Sequence, residues 1–67
     1  MKLILNGQPT EVDRKDLLGL LEQLGIDHRG NGIAVARNGD LVPRSRWPGQ
    51  QLEENDEIEV ITAMQGG

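Results

Sequence analysis

The chain has 67 residues, enough for one domain but too few to enclose a deep active site within a core. It contains no cysteine, which excludes disulfides, thiolate metal sites and a side chain that carries sulfur as a persulfide. Hydrophobic residues make up 36% and the net charge is -4, so the chain should fold and should not bind nucleic acid. The apolar run at residues 1–5 is too short for a signal peptide or a membrane span, and we expect a cytoplasmic protein without membrane attachment.

The dipeptide Asn6-Gly7 predicts an opening β-hairpin, because both central residues of a type I′ turn need a positive φ. Side chains alternate along a strand, which assigns Leu3 to the core and Ile4 to the opposite face. The first two strands are therefore expected at residues 1–5 and 8–12.

A helix is predicted from leucines that recur at helical spacing between residues 17 and 24. We expect Asp13 as its N-cap, Asp16 in its first turn and Gly25 in the left-handed position after its end. Gly19 inside the helix costs about 1 kcal/mol relative to alanine. A close approach of the helix to the sheet would account for it.

The second half of the chain reads as strands joined by turns. Asn38-Gly39 predicts a second hairpin between residues 33–37 and 40–42, and Pro43 restricts the latter strand to a sheet edge. Residues 45–49 have turn composition, and the single aromatic residue, Trp47, is expected to anchor this turn to the core. The last strand is predicted at residues 57–64.

This order of elements predicts an α+β fold, a mixed sheet of four to five strands with one helix on one face. It resembles the ubiquitin-like β-grasp fold, in which the first and last strands pair in parallel at the sheet centre. The resemblance implies a domain over residues 1–64 and a flexible Gly-Gly tail at 65–67 that projects from it.

The tail Gln65-Gly66-Gly67 is the candidate site, although two terminal glycines alone fit a frayed end equally well. Glycines thread narrow channels easily because they have no Cβ. A terminal carboxylate is ionised at neutral pH and is a poor electrophile, so an outside enzyme must activate it. No motif for ATP binding is present, and we expect the chain to bind no cofactor or metal and to catalyse no reaction itself.

Three segments resemble the ThiS family of sulfur carriers of thiazole biosynthesis, namely IAVARN at 33–38, VPRSRW at 42–47 and DEIEVITAMQGG at 56–67. The resemblance implies that a ThiF-like adenylating enzyme activates Gly67 with ATP. A sulfur-donating enzyme then converts it to a thiocarboxylate, and thiazole synthase (ThiG) receives the sulfur. Asn55 stands where the family usually has glycine, and asparagine tolerates the same left-handed turn.

A docking face for these partners is expected on the side of the sheet opposite the helix. Alternation makes that side unusually apolar, and an exposed apolar patch often marks a protein contact. Its predicted members are Ile4, Ala34, Ala36, Ile61, Ala63 and Met64.

Several other residues and functions were weighed. His28 and the acidic residues at 53–59 fit a solvated surface, and Arg37, Arg44 and Arg46 are secondary candidates for a partner contact. Carriers for molybdopterin synthesis or for tRNA thiolation remain open, since their tails also end in Gly-Gly. A β-grasp RNA-binding module is the alternative from another class, and the acidic balance opposes it.

Overall fold

A computed structural model describes residues 1–30 and 32–62. Within this part of the chain the elements, in order, are β1 (Lys2–Leu5), β2 (Gln8–Glu11), α1 (Leu17–Gln23), β3 (Ile33–Arg37), β4 (Asp40–Leu41), a 3₁₀-helix (Arg44–Gly49) and β5 (Glu57–Thr62). Neither of these helices is long and apolar enough to cross a membrane.

The strands form one sheet in the order β2-β1-β5-β3-β4. β1 and β5 pair in parallel, and the other neighbours pair antiparallel. The predicted β-grasp fold is confirmed, because the first and last strands lie side by side, β5 is central and one helix covers one face of a mixed sheet.

The core lies between one face of the sheet and α1. Leu3, Val35 and Ile58 from the sheet join Leu17 and Leu20 from the helix in one cluster of fully buried side chains. Trp47 closes the cluster from the 3₁₀-helix. It is only 2% exposed, and its indole N–H donates to the Val42 carbonyl oxygen at 2.9 Å, which confirms its role as an anchor.

Both predicted hairpin turns are present. Asn6 and Gly7 have φ of 49° and 81°, and Asn38 and Gly39 have φ of 51° and 88°, as a type I′ turn requires. Asn55 also adopts a left-handed conformation, with φ of 69°, so the expected turn before β5 forms without glycine.

The start of α1 differs from the prediction, because the N-cap is Asp16 and not Asp13. The Asp16 Oδ1 accepts a hydrogen bond from the Gly19 N–H at 2.7 Å. Long-range bonds explain the later start. The Lys15 carbonyl accepts from the Leu52 N–H, and the Leu17 N–H donates to the Gln50 carbonyl, both at 2.9 Å. These bonds keep the residues before Leu17 out of the helix, and Asp16 itself has an extended backbone.

The end of α1 follows the prediction. Gly25 has φ of 73° and donates to the Glu22 carbonyl oxygen, while the Ile26 N–H donates to the Leu21 carbonyl oxygen, both at 3.0 Å. These two bonds form a Schellman motif, which satisfies carbonyl groups that the helix itself leaves unpaired.

Gly19 does mark a close approach, but not to the sheet. A Cβ at this position would lie 2.9 Å from the Asp16 Oδ1 and 3.0 Å from the Arg14 Cβ. The glycine therefore leaves space for the capping carboxylate and for the segment that precedes the helix.

Candidate functional site at the end of the central strand

The central strand β5 leads towards the predicted sulfur-attachment site. Thr62 is its last residue, and the predictions for the tail residues Gln65, Gly66 and Gly67 lie outside the described residues. The same holds for Ala63 and Met64 of the predicted docking face. What the structure describes is the body that would present this tail.

Neighbours hold β5 along both edges. On one side it pairs with β3 from Ile58 to Thr62, opposite Arg37 to Ile33. On the other side the Ile4 N–H donates to the Asp56 carbonyl oxygen and the Asn6 N–H to the Ile58 carbonyl oxygen, both at 2.9 Å. The last strand is thus fixed in the middle of the sheet, which gives a tail beyond it a rigid base.

The start of β5 is fixed by a buried carboxylate. Asp56, 6% exposed, accepts from Arg37 Nε at 2.7 Å and Nη2 at 3.3 Å, from Asn38 Nδ2 at 3.0 Å and from the Glu53 N–H at 2.9 Å. Burial alone raises the pKa of Asp56, but the hydrogen bonds from Arg37, Asn38 and Glu53 outweigh it and hold the pKa below its usual value. This network gives the Arg37-Asn38 step a structural role between β3 and β5.

The described members of the predicted docking face do lie together. Ala34 is directly opposite Ile61 in the β3–β5 ladder, and Ala36 is opposite Glu59. Ile4 is opposite Glu57 on the β1 side of β5. Residues that pair across strands share a face, so these side chains all lie opposite the helix.

The structure adds three residues to this face that the sequence analysis did not assign to it. They are Leu41, Glu57 and Glu59. Leu41 pairs with Ala36 and is 72% exposed, which makes it more exposed than the predicted member Ile61, at 59%. Glu57 and Glu59 bring negative charge between the apolar side chains. We define the outer face by its members Ile4, Ala34, Ala36, Leu41, Glu57, Glu59 and Ile61. The sequence did contain a signal for Leu41. A two-residue hairpin turn at Asn38-Gly39 pairs Arg37 with Asp40 and Ala36 with Leu41, so Leu41 must share the face of Ala36.

Arg44 is engaged within the chain. Its guanidinium lies over the Trp47 ring, 4.8 Å from the centroid, and donates to the carbonyl oxygens of His28 and Gly30, the latter at 2.6 Å. Arg44 therefore ties the loop after α1 to the 3₁₀-helix.

His28 and Glu54 also make contacts within the chain. His28 Nε2 lies 3.5 Å from Glu22 Oε2, and Glu54 Oε2 accepts from the Lys2 N–H at 2.8 Å. Across residues 1–30 and 32–62, no group of three or more acidic or histidine side chains is arranged to hold a metal ion.

Comparison with known proteins gives matches over the whole chain. The model of the ThiS family matches residues 3–67. The sulfur carrier protein ThiS of Thermus thermophilus is 35% identical over 63 residues, which cover 94% of this chain and 95% of that protein. ThiS of Escherichia coli is 32% identical over the full length of both chains.

Two further relatives bear on function and fold. A thiazole synthase of Paramagnetospirillum magneticum is 32% identical over 68 residues, which cover this whole chain but only 20% of that enzyme. The crystal structure of the thiamine biosynthesis protein ThiS of Geobacter metallireducens superposes with a TM-score of 0.81 at 27% identity, over 100% of both chains.

Proposed function

Because the chain belongs to the ThiS family, we propose that it is a sulfur carrier protein that supplies sulfur to thiazole synthase for the thiazole ring of thiamin. The observation that carries this proposal is the family match through residue 67, which includes the Gly-Gly tail. The carrier acts as a protein co-substrate and leaves catalysis to its partners. The thiazole synthase relative supports thiazole synthase as the acceptor of the sulfur. One fifth of that protein is similar to this entire chain, so a carrier-like segment and the synthase occur there in one polypeptide.

The proposed chemistry takes place on Gly67. A ThiF-like enzyme transfers AMP from ATP to the terminal carboxylate, with release of pyrophosphate. Sulfur at the oxidation level of sulfide, supplied by a sulfur-donating enzyme, then attacks the glycyl carbonyl carbon, and AMP leaves with the bonding electron pair. The product is a thiocarboxylate. AMP is needed because the free carboxylate is a poor electrophile.

In this proposal the domain and the tail have separate roles. The domain, assigned to residues 1–64, docks to the partner, and the tail, assigned to residues 65–67, passes Gln65 and Gly66 through a narrow channel of the partner. Glycine suits such a channel because it has no side chain. The outer face, with Leu41 and Ile61 exposed, provides the docking surface. Its Glu57 and Glu59 favour a partner with cationic side chains at the matching positions.

Intact-protein mass spectrometry tests the proposal. The chain is incubated with a ThiF-like enzyme, ATP and sulfide, and we expect the mass change of one oxygen exchanged for sulfur, located at Gly67 by fragmentation. A variant that lacks Gly67 should keep the wild-type circular dichroism spectrum and accept no sulfur. Sulfur loading of that variant at the wild-type level would refute the assignment of Gly67.

The acceptor is tested separately. The loaded carrier is offered to thiazole synthase, to molybdopterin synthase and to a tRNA-thiolating enzyme, and we expect transfer only to the first. Transfer to one of the others alone would move the chain to that branch of sulfur carriers.

A further inference from the structure

The side chain of Asn6 binds the main chain of β5 two residues before Thr62. Its Oδ1 accepts a hydrogen bond from the Val60 N–H at 2.8 Å, and its Nδ2 donates to the Val60 carbonyl oxygen at 3.3 Å. A side-chain amide that accepts and donates in this way makes the two contacts that a neighbouring strand would otherwise make.

This contact extends the β1 side of the sheet beyond the end of β1. The strand ends at Leu5, and Asn6, with φ of 49°, starts the turn that leads into β2. The Asn6 N–H still reaches the Ile58 carbonyl oxygen at 2.9 Å, and its side chain then reaches Val60, one step further along β5. The Asn6 amide thus takes the place of a further β1 residue.

Asn38 has the equivalent position in the second hairpin, with φ of 51°. Its Oδ1 accepts from the Glu57 N–H at 2.9 Å, at the first residue of β5. The two asparagines therefore hold the central strand from opposite edges and at opposite ends. Only Asn6 acts close to the end from which the tail leaves.

We propose that Asn6 is a positioning residue for sulfur loading, because its amide holds β5 at Val60 on the side that β1 no longer covers and so helps to set the direction in which the tail leaves the sheet. This inference rests on the proposed carrier function and adds a determinant that is not part of the tail and that lies at the border of the outer face, beside Ile4, Glu57 and Glu59. When Asn6 no longer holds Val60, the outer face still docks, but the terminal carboxylate is spread over more positions in the bound complex. The rate within the complex falls as a result.

Two substitutions weaken the contact to different degrees and keep the turn. Asn6→Gly deletes both hydrogen bonds. Asn6→Asp keeps an acceptor for the Val60 N–H but places a carboxylate oxygen, in place of the donor, against the Val60 carbonyl oxygen. Glycine and aspartate both accept the position in a type I′ turn. We expect hydrogen exchange of the Val60 amide to become faster in Asn6→Gly, whereas Asn6→Asp keeps an acceptor for this N–H and should have the smaller effect. In sulfur loading of Asn6→Gly by a ThiF-like enzyme with ATP and sulfide, kcat should fall about tenfold while KM for the carrier changes less than about twofold.

Asn38→Gly is the matched control. It removes side-chain bonds from the same turn position at the far end of β5, and should lower the urea midpoint while leaving kcat at the wild-type value. The positioning role is overturned if Asn6→Gly keeps the wild-type kcat although its Val60 amide exchanges faster. It is equally overturned if Asn38→Gly lowers kcat as much as Asn6→Gly. A wild-type chain that accepts no sulfur would instead overturn the carrier function itself.

Discussion

Replacing Asp56 with asparagine tests the network that fixes the start of the central strand. The Asp56 carboxylate accepts four hydrogen bonds, two of them from the Arg37 guanidinium. Asparagine has a single acceptor oxygen. If that oxygen keeps the bonds from Arg37 Nε and the Glu53 N–H, the new NH₂ group faces Asn38 Nδ2 and Arg37 Nη2, which are also donors.

The expected loss of stability follows from these contacts. Two hydrogen bonds to a buried group are lost, each about 1 kcal/mol, and two donors are left opposed. The Arg37 side chain, 26% exposed, loses the negative charge of its close partner, and the carboxylate of Glu53 lies further away, at 3.7 Å. Together these changes should lower the free energy of unfolding by about 3 kcal/mol. For a domain of this size the melting temperature then falls by about 15 °C.

Urea unfolding measured as a function of pH provides the assay. The pKa of Asp56 is lower in the folded chain than its ordinary value of 3.8. The stability that the ionised Asp56 contributes is therefore fully present above the unfolded pKa and is lost as the pH falls through the folded pKa. The difference in free energy of unfolding between wild type and Asp56→Asn should be constant near neutral pH and become smaller below about pH 4. Glu59→Gln, a neutralisation at an exposed position of the same strand, should shift stability by less than about 0.5 kcal/mol. If this stability difference is small at pH 7, or does not become smaller in acid, the hydrogen-bond network of Asp56 does not stabilise the fold as argued.

Two further substitutions test the helix start and the outer face. Gly19→Ala gains about 1 kcal/mol of helix propensity. Its Cβ, however, displaces the Asp16 carboxylate, a cap worth about 1 to 2 kcal/mol, and crowds Arg14. We therefore expect urea unfolding to show a free energy of unfolding that is lower by about 1 kcal/mol. A stabilised variant would contradict the close approach seen at Gly19. Ile61→Asp, at an exposed position of β5, should leave the domain folded, at a cost of about 1 kcal/mol of strand propensity. It should weaken binding to a ThiF-like enzyme more than about tenfold in calorimetry, whereas Leu24→Asp at the C-cap of α1 should not. Equal effects of the two would exclude the outer face as the docking surface.

The features that the sequence predicted correctly depend on local geometry. Asn6-Gly7 and Asn38-Gly39 form type I′ turns because few dipeptides tolerate two positive φ angles, and Gly25 ends the helix for the same steric reason. The alternation of side chains placed Ala34 and Ile61 on one face, and the pairing of β3 with β5 confirms that placement.

The features that the sequence analysis missed depend on contacts between distant parts of the chain. Asp13 and Asp16 are equally good caps by residue type. The choice between them is made by two hydrogen bonds to distant residues, one that the Lys15 carbonyl accepts from the Leu52 N–H and one that the Leu17 N–H donates to the Gln50 carbonyl. The contact of Asn6 with Val60 joins residues that are 54 positions apart in the sequence and has no local signature, since the turn alone explains Asn-Gly.

The central position of β5 also determines how the domain responds to force. A pull on the chain beyond Thr62 acts along β5, whereas the hydrogen bonds to β3 run perpendicular to the strand and those to β1 are slanted across it. These bonds are strained together in shear and are not opened one after another, as they would be if an edge strand were peeled from the sheet. An enzyme that grips the tail in a channel can therefore pull on it firmly while the domain stays folded.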